Sequence, residues 1–193
     1  MSASTWPPER AAADSTQPPV RGAVDAAVLV PLHGEGIDQR LVLTRRRSDL
    51  RRHAGEISFP GGRRDPEDRD LQDTALREAE EEIGLPRADV RIVAQLQATS
   101  TFATGYVIHP YVGLIPSGLP WTPSPQEVDE VLELPLGEVR SSRTRVTLQR
   151  RGIDFETDAY ALGGNVIWGA TARIIQLLLE HIDAGAAAGA GSA

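Results

Sequence analysis

The stretch DLQDTALREAEEEIGLP, residues 70–86, constrains the fold of this chain more than any other part of the sequence. Asp70 can cap the start of a helix, and Gly84 followed by Pro86 supplies stop signals, so the pattern predicts a helix from about Leu71 to Ile83. At about 100° per residue, the apolar side chains at positions 75, 76, 79 and 83 share one side. Such a helix has to bury that side, and we expect it to pack on a sheet.

A second side of the same helix carries three carboxylates, Glu78, Glu81 and Glu82, at spacings of three and four residues. Each exposed like-charge pair at this spacing costs a few tenths of a kcal/mol. Two interpretations account for the pattern: a solvated acidic face relieved by Arg77, or a set of oxygen ligands for Mg²⁺ or Mn²⁺. The turn at Gly61-Gly62 favours the second interpretation, because glycine lets the backbone approach a metal ion or a phosphate closely.

Short apolar runs on both sides of the helix predict strands. They cover residues 23–33 and 40–47 as a hairpin, then 56–60, 90–99 and 107–115, and a second hairpin over 145–160. Pro110 favours an edge or a bulge for the strand that contains it. Residues 166–182 predict a C-terminal amphipathic helix with Ile174, Ile175, Leu178 and Leu179 as core contacts. Many strands and few helices indicate an α+β fold built on a mixed sheet.

Composition excludes several classes of function. The chain has 193 residues and no cysteine, which excludes disulfides, thiolate metal ligands and a cysteine nucleophile. A net charge of -7 argues against general electrostatic binding of nucleic acid. No run approaches the roughly 20 apolar residues of a membrane span, and the N-terminal residues lack the apolar segment of a signal peptide. We therefore expect a cytoplasmic protein that does not bind a membrane.

The two ends differ in composition from the rest of the chain. Residues 1–22 are rich in Pro, Ala and Ser without periodicity, which predicts a disordered or loosely attached lead-in. Residues 184–193 form a low-complexity tail. One domain is expected between them, over residues 23–183.

The Gly61-Gly62 turn followed by REAEEEIGL, residues 77–85, resembles the Nudix box: a Gly, an acid, then Arg-Glu-apolar-x-Glu-Glu-x-Gly-apolar. The segment from Gly62 to Arg77 is one residue longer than the usual box, and Arg69 stands where the early acid is expected. The sequence leaves open which of the nearby acids, at positions 65, 68 and 70, replaces it.

An upstream motif resembles the coenzyme A pyrophosphatase branch of the Nudix hydrolases. Residues 41–44 read Leu-Val-Leu-Thr, and Arg51, Gly55 and the run Phe59-Pro60-Gly61-Gly62 follow at the matching spacing. The resemblance covers roughly residues 23–183. It implies an α/β/α sandwich around a mixed sheet and hydrolysis of the pyrophosphate of coenzyme A, or of its thioesters, to 3′,5′-ADP and 4′-phosphopantetheine or its acyl form.

The same resemblance implies roles for individual residues. Glu78, Glu81 and Glu82, with the Gly62 carbonyl, are expected to hold Mg²⁺ or Mn²⁺, and Arg77 to organise the ligand carboxylates.

Outside the box, Arg51 and Arg52 are expected to meet phosphate groups of the substrate, beside the turn at Gly61 and Gly62. The general base is expected from a glutamate in QEVDEVLELPL, residues 126–136, either Glu127 or Glu130, with Glu130 preferred.

Two other functions remain open at this stage. One is hydrolysis of a different nucleoside diphosphate derivative, such as ADP-ribose or a dinucleotide. The other is a Nudix-like binding module without turnover, against which the intact Glu78, Glu81 and Glu82 argue. Each interpretation takes a small-molecule nucleotide as the partner, and the sequence leaves open whether the chain forms a homodimer.

Overall fold

The computed structural model describes residues 24–49, 55–101, 105–150 and 152–190. Eight of the described strands form one sheet: β1 Val24–His33, β2 Arg40–Arg46, β3 Ile57–Ser58, β4 Gly61–Arg63, β5 Arg91–Gln95, β6 Thr99–Ser100, β7 Tyr106–Leu114 and β8 Val128–Pro135. A second sheet contains β9 Arg143–Arg150, β10 Ile153–Leu162 and β11 Asn165–Trp168. The helices are α1 Leu71–Ile83, α2 Leu136–Ser141 and α3 Gly169–Ala190.

The main sheet is mixed, and its first two strands open into a fork. β1 is parallel to β7 along its length and pairs with β2, antiparallel, at Leu32 and His33. Farther from this contact, β1 pairs with β4 and β2 pairs with β3, on the sides of each strand that face the other. β3 and β4 therefore occupy the space between β1 and β2. The short connection between β3 and β4 ends at Pro60, and β4 begins at Gly61.

Helices cover both faces of the main sheet, as predicted. Alternate residues of β1 contribute to two separate apolar cores, with Ala27 and Leu29 on one face and Val30 and Leu32 on the other. α1 buries its apolar side on the first face, and α3 buries the predicted Ile174, Ile175, Leu178 and Leu179 on the second. The order helix, sheet, helix confirms the α/β/α sandwich.

The second sheet contains the predicted hairpin of β9 and β10 and one strand that was not predicted. Residues 166–168 were predicted to belong to the C-terminal helix, but residues 165–168 form β11, which pairs with β10, and α3 begins at Gly169. Gly163 and Gly164 connect the two strands with φ values of 57° and 78°. Two positive φ angles in a two-residue loop are those of a type I′ hairpin turn, and this turn returns the chain along β10 before α3 begins.

Pro110 was predicted to mark an edge or a bulge. It does not mark an edge, since β7 lies between β1 and the strands β5 and β6, but the β5–β7 ladder is irregular nearby, between Ile92 and Ala94. The carbonyl of Pro110 accepts a hydrogen bond of 2.9 Å from the N–H of Leu96. Leu96 belongs to the segment between β5 and β6. The missing N–H of the proline therefore faces an interruption of the neighbouring strand, where its cost to the sheet is small.

α3 continues to Ala190, into the segment that the composition marks as a low-complexity tail. Within the described residues, no helix has both the length and the apolar character needed to cross a membrane.

Candidate active site

Helix α1 forms with the bounds predicted from its capping residues. The Asp70 side chain accepts a hydrogen bond of 2.8 Å from the N–H of Asp73, and Gly84 ends the helix with a φ of 68°. Ala75, Ala79 and Ile83 are fully buried against the sheet. This packing fixes the rotation of the helix and turns Glu78 and Glu82 toward the fork of the main sheet.

Arg77 and Asp68 form a buried ion pair beside the fork. The Arg77 guanidinium donates to both carboxylate oxygens of Asp68, from Nε at 2.8 Å and from Nη2 at 3.1 Å. Asp68 also accepts hydrogen bonds from the Thr74 hydroxyl and from the N–H of Asp65. The hydrogen bonds from Arg77 hold the pKa of Asp68 well below its usual value, against the opposing effect of burial.

This geometry distinguishes the three acids that the sequence left open. Asp65 lies 3.8 Å from Arg77 and is largely exposed, and Asp70 is engaged in capping α1. Asp68 alone among the three makes a two-point contact with the arginine. The loop between β4 and α1 therefore accommodates the extra residue between Gly62 and Arg77. The loop still places one buried acid, Asp68, in contact with Arg77.

The other end of the Arg77 guanidinium holds two of the three helix carboxylates. Its Nη1 atom lies 3.0 Å from Glu78 Oε1 and 3.0 Å from Glu81 Oε2. Glu81 is the most open of the three, with 59% of its side chain exposed. Arg77 therefore links the buried acid of the loop to the acidic face of the helix.

Gly62 lies directly against Glu78. A Cβ atom built at Gly62 would stand 2.5 Å from Cδ of Glu78 and 2.7 Å from its Oε2, so the Glu78 carboxylate would have to move to admit it. The absence of a side chain on Gly62 thus allows the carboxylate to reach the backbone of β4. Burial raises the pKa of Glu78, while the Arg77 charge acts in the opposite direction.

Glu82 is the most buried of the three carboxylates, with 5% of the residue exposed. Burial, followed by the neighbouring charge of Glu78, raises the pKa of Glu82 to about 8. Arg46 opposes this shift from 3.8 Å, and so does a hydrogen bond with the Gly61 backbone. Two partly buried carboxylates on one helix face create a concentration of negative charge that the nearby arginines only partly balance.

The donor set fits a divalent metal ion. Carboxylate oxygens from Glu78, Glu81 and Glu82 beside a backbone without side chains are hard ligands, which Mg²⁺ and Mn²⁺ prefer. In the described residues these side chains are directed toward arginines, and no three acidic or histidine side chains already converge on one point. Binding a cation would relieve the repulsion that raises the pKa values of Glu78 and Glu82.

The two candidate bases fall on different faces of the main sheet. Glu130 pairs with Arg45, whose guanidinium also donates to Asn165 of β11, on the face away from α1. Glu127 precedes β8 and lies 3.6 Å from Arg46, the same arginine that faces Glu82. The charge of Glu127 contributes to the raised pKa of Glu82. The geometry therefore favours Glu127 over Glu130 as a group beside the acidic helix.

Arg46 is a site residue that the sequence did not single out. It belongs to a cluster of arginines, residues 45–47, 51 and 52, from which only Arg51 and Arg52 were predicted to contact the substrate. Arg51 and Arg52, the two predicted phosphate contacts, lie outside the described residues. The one signal for Arg46 was its place at the end of a strand that leads toward the glycine turn.

Comparison with known proteins identifies the family. A NUDIX domain model matches residues 23–169. The Nudix hydrolase NudL of Photorhabdus laumondii, itself described as uncharacterized, is 41% identical over 160 residues, which are 82% of this chain and 84% of that protein. NudL of Yersinia pestis is 40% identical over 160 residues, 82% of this chain and 79% of that protein.

Solved structures share the fold. The NUDIX domain of Shewanella oneidensis NrtR, complexed with ADP ribose, superposes with a TM-score of 0.58 at 16% identity over 83% of this chain and 89% of that one. A MutT/nudix family protein from Enterococcus faecalis gives 0.57 at 16% identity over 86% and 65%. With the acidic helix, its buried Asp68–Arg77 pair and the glycine turn in place, these matches show that the chain belongs to the Nudix hydrolase family.

Proposed function

We propose that this Nudix hydrolase cleaves the pyrophosphate of coenzyme A, or of its thioesters, to 3′,5′-ADP and 4′-phosphopantetheine or its acyl form. The observation that carries the proposal is the position of the upstream motif. Thr44 on β2 donates from its hydroxyl to the Ser58 carbonyl of β3 at 3.2 Å. The next residues form β4, whose Gly62 lies against Glu78. The Gly61-Gly62 end of the motif thus lies directly against the acidic helix.

The acidic helix supplies the metal ligands in this proposal. Members of the family generally use a divalent metal ion. Glu78, Glu81 and Glu82 would hold Mg²⁺ or Mn²⁺, with the Gly62 carbonyl as a further ligand. When bound, such an ion neutralises pyrophosphate oxygens and activates water. Arg77, held by Asp68, keeps the carboxylates of Glu78 and Glu81 oriented.

Glu127 is the base that the geometry supports best. Hydrolysis adds a water oxygen to one phosphorus atom while the bridging oxygen leaves with the other phosphate, and the attacking water gives up a proton. A carboxylate beside Glu82 can accept that proton, and Glu127 is placed there through Arg46. Glu130 remains the alternative, and comparing Glu127→Gln with Glu130→Gln tests the choice. Loss of turnover in the second variant alone would reverse the assignment.

The remaining parts of the proposal concern the substrate and the location. Arg51 and Arg52 contact phosphate groups of coenzyme A, because guanidinium groups suit phosphate oxygens. The partner is a small-molecule nucleotide, and the reaction takes place in the cytoplasm.

The test is a substrate panel with Mg²⁺ or Mn²⁺, in which coenzyme A, an acyl-coenzyme A, ADP-ribose and a dinucleotide are compared and the products are identified by mass. We expect coenzyme A or its thioester to be cleaved with the highest kcat/KM. Brisk cleavage of ADP-ribose without cleavage of coenzyme A would overturn the branch assignment and leave the family intact.

A matched pair of variants tests the metal ligands. Glu82→Gln removes a charge from the buried face of α1 and should lower turnover at least about 100-fold. Glu80→Gln removes a charge from the same helix, but Glu80 faces Arg87 on the outside and its loss should leave turnover unchanged. Normal turnover in a folded Glu82→Gln protein would contradict the metal assignment.

A further inference from the structure

A cavity of about 690 Å³ lies on the face of the main sheet away from α1. The second sheet and the first turns of α3 form its far wall. Its volume lies within the range of small-molecule sites in proteins. The residues expected to hold the metal ion do not line this cavity, so the cavity is distinct from the proposed metal site.

Four aromatic side chains lie in the wall of the cavity. Tyr106, Phe155, Tyr160 and Trp168 line it, which are four of the nine aromatic residues of the chain. Phe155 and Trp168 form a tilted pair, with ring centroids 6.0 Å apart and an angle of 58° between the planes. Concentrated aromatic rings around an open space favour a flat aromatic ligand over a flexible aliphatic one.

The same wall carries three guanidinium groups, from Arg46, Arg143 and Arg173, and two carboxylates, from Glu56 and Asp158, so its charged groups are positive by one. Arg143 is half-exposed, and its Nη2 lies 3.6 Å from Asp158, a distance too long for a direct hydrogen bond. Arg173 donates to the Ser100 carbonyl and Arg46 faces Glu82 and Glu127, so Arg143 is the group most exposed to a ligand. Covering its charge with an uncharged acyl or pantetheine arm would cost solvation that the arm does not replace. A ligand that joins an aromatic ring to phosphate groups satisfies both the rings and the charges.

Arg46 connects the cavity to the acidic helix. It lines the cavity, and its guanidinium lies 3.8 Å from Glu82 and 3.6 Å from Glu127. A ligand whose ring lies among the aromatic side chains can therefore place its phosphates at Arg46, next to the carboxylates that would hold the metal ion.

We propose that this cavity binds the nucleobase half of the substrate, with the base stacked on Trp168 and the phosphates directed to Arg46. The proposal rests on the proposed function and names the part of a nucleoside diphosphate substrate that this face recognises. The half of the substrate beyond the pyrophosphate then lies outside the aromatic cavity. Changing the chemistry of that half should have little effect on binding of the nucleobase in the cavity.

Tryptophan fluorescence tests the proposal without turnover. Adenosine 3′,5′-bisphosphate titrated into the full chain should quench the emission, because the base would stack on Trp168. Trp168→Phe should abolish this quenching. Trp121→Phe is the matched control and should retain it, since Trp121 donates to Glu133 in a separate region of the fold. Quenching that survives in Trp168→Phe and disappears in Trp121→Phe would overturn the proposal.

Calorimetry with Trp168→Leu separates the two halves of the substrate. Its Kd for adenosine 3′,5′-bisphosphate should rise at least about 10-fold, as loss of one stacking side chain predicts. Its Kd for 4′-phosphopantetheine should stay unchanged, and circular dichroism should show an intact fold. Weaker binding of 4′-phosphopantetheine with unchanged binding of the nucleotide would assign the cavity to the other half and overturn the proposal.

The cavity assignment and the proposed function can be refuted independently of each other. Cleavage of coenzyme A by a protein whose nucleotide affinity does not respond to Trp168→Leu would remove the cavity assignment alone. Stacking at Trp168 in a protein that does not cleave coenzyme A would support the cavity assignment and redirect the choice of substrate.

Discussion

Replacing Asp68 by Asn should destabilise the protein and lower its activity together. The carboxylate of Asp68 is 3% exposed and receives two hydrogen bonds from Arg77, at 2.8 and 3.1 Å. Removing one member of a buried ion pair costs about 3 to 5 kcal/mol. Asn keeps one oxygen for Arg77 or Thr74, and Arg77 keeps Glu78, so we expect a loss of about 2 to 4 kcal/mol in the free energy of unfolding.

Urea denaturation of the full chain at pH 7 measures this loss. In a chain of this length, it corresponds to a fall in Tm of about 4 to 16 °C. Because Arg77 lowers the pKa of Asp68, the ion pair stabilises the fold above the usual pKa of an aspartate and ceases to do so as pH falls. The difference between wild type and Asp68→Asn should therefore shrink below about pH 4.

Asp65→Asn is the control for this prediction, because Asp65 is largely exposed and 3.8 Å from Arg77. It should change stability by less than about 1 kcal/mol. Turnover should fall in Asp68→Asn, where Arg77 is released, and remain normal in Asp65→Asn. Equal stabilities of the two variants would refute the conclusion that Asp68 is the acid that holds Arg77.

Three further predictions address the glutamates, the glycine turn and the substrate. Burial raises the pKa of Glu82 to about 8, so the folded protein retains a proton that the unfolded chain releases, and stability without metal should fall as pH rises from 5 to 8. Glu82→Gln should flatten this fall in urea denaturation with chelator, and an unchanged slope would contradict the shift. Gly62→Ala should lower turnover at least about 10-fold by displacing Glu78, whereas Gly137→Ala, with open space around it, should not. Arg51→Ala should cost about 1.5 to 3 kcal/mol in kcat/KM for coenzyme A and much less for dephospho-coenzyme A, while equal losses would point to a structural Arg51.

The parts of the fold that local signals determine were predicted from the sequence. Helix α1 begins and ends where its capping residues indicate, because Asp70 and Gly84 act on backbone groups within one turn. The β1–β2 and β9–β10 hairpins follow from alternating apolar residues on either side of a short turn. Asp68 was one of three equivalent acids, since only the path of the loop decides which of them reaches Arg77.

The parts of the site that depend on strand register could not be predicted. Arg45 and Arg46 are adjacent and chemically identical, yet Arg45 pairs with Glu130 while Arg46 faces Glu82 and Glu127. An irregularity in the β2–β8 ladder falls between the two arginines, so that Arg45 lies opposite Glu130 and Arg46 opposite Val128. No local pattern in the sequence shows where such an irregularity occurs.

Arg46 links the choice of base to the binding of substrate. Adjacent side chains of a strand point to opposite faces of the sheet, so Arg46 lies on the α1 face and Arg45 does not. One side chain therefore reaches Glu82, Glu127 and the wall of the aromatic cavity. A regular ladder would place Arg46 opposite Asp129 and change which acid it meets. Alternation along β2 thus decides that Arg46 faces the acidic helix, and the unpaired residue on β8 decides that Val128 lies opposite it.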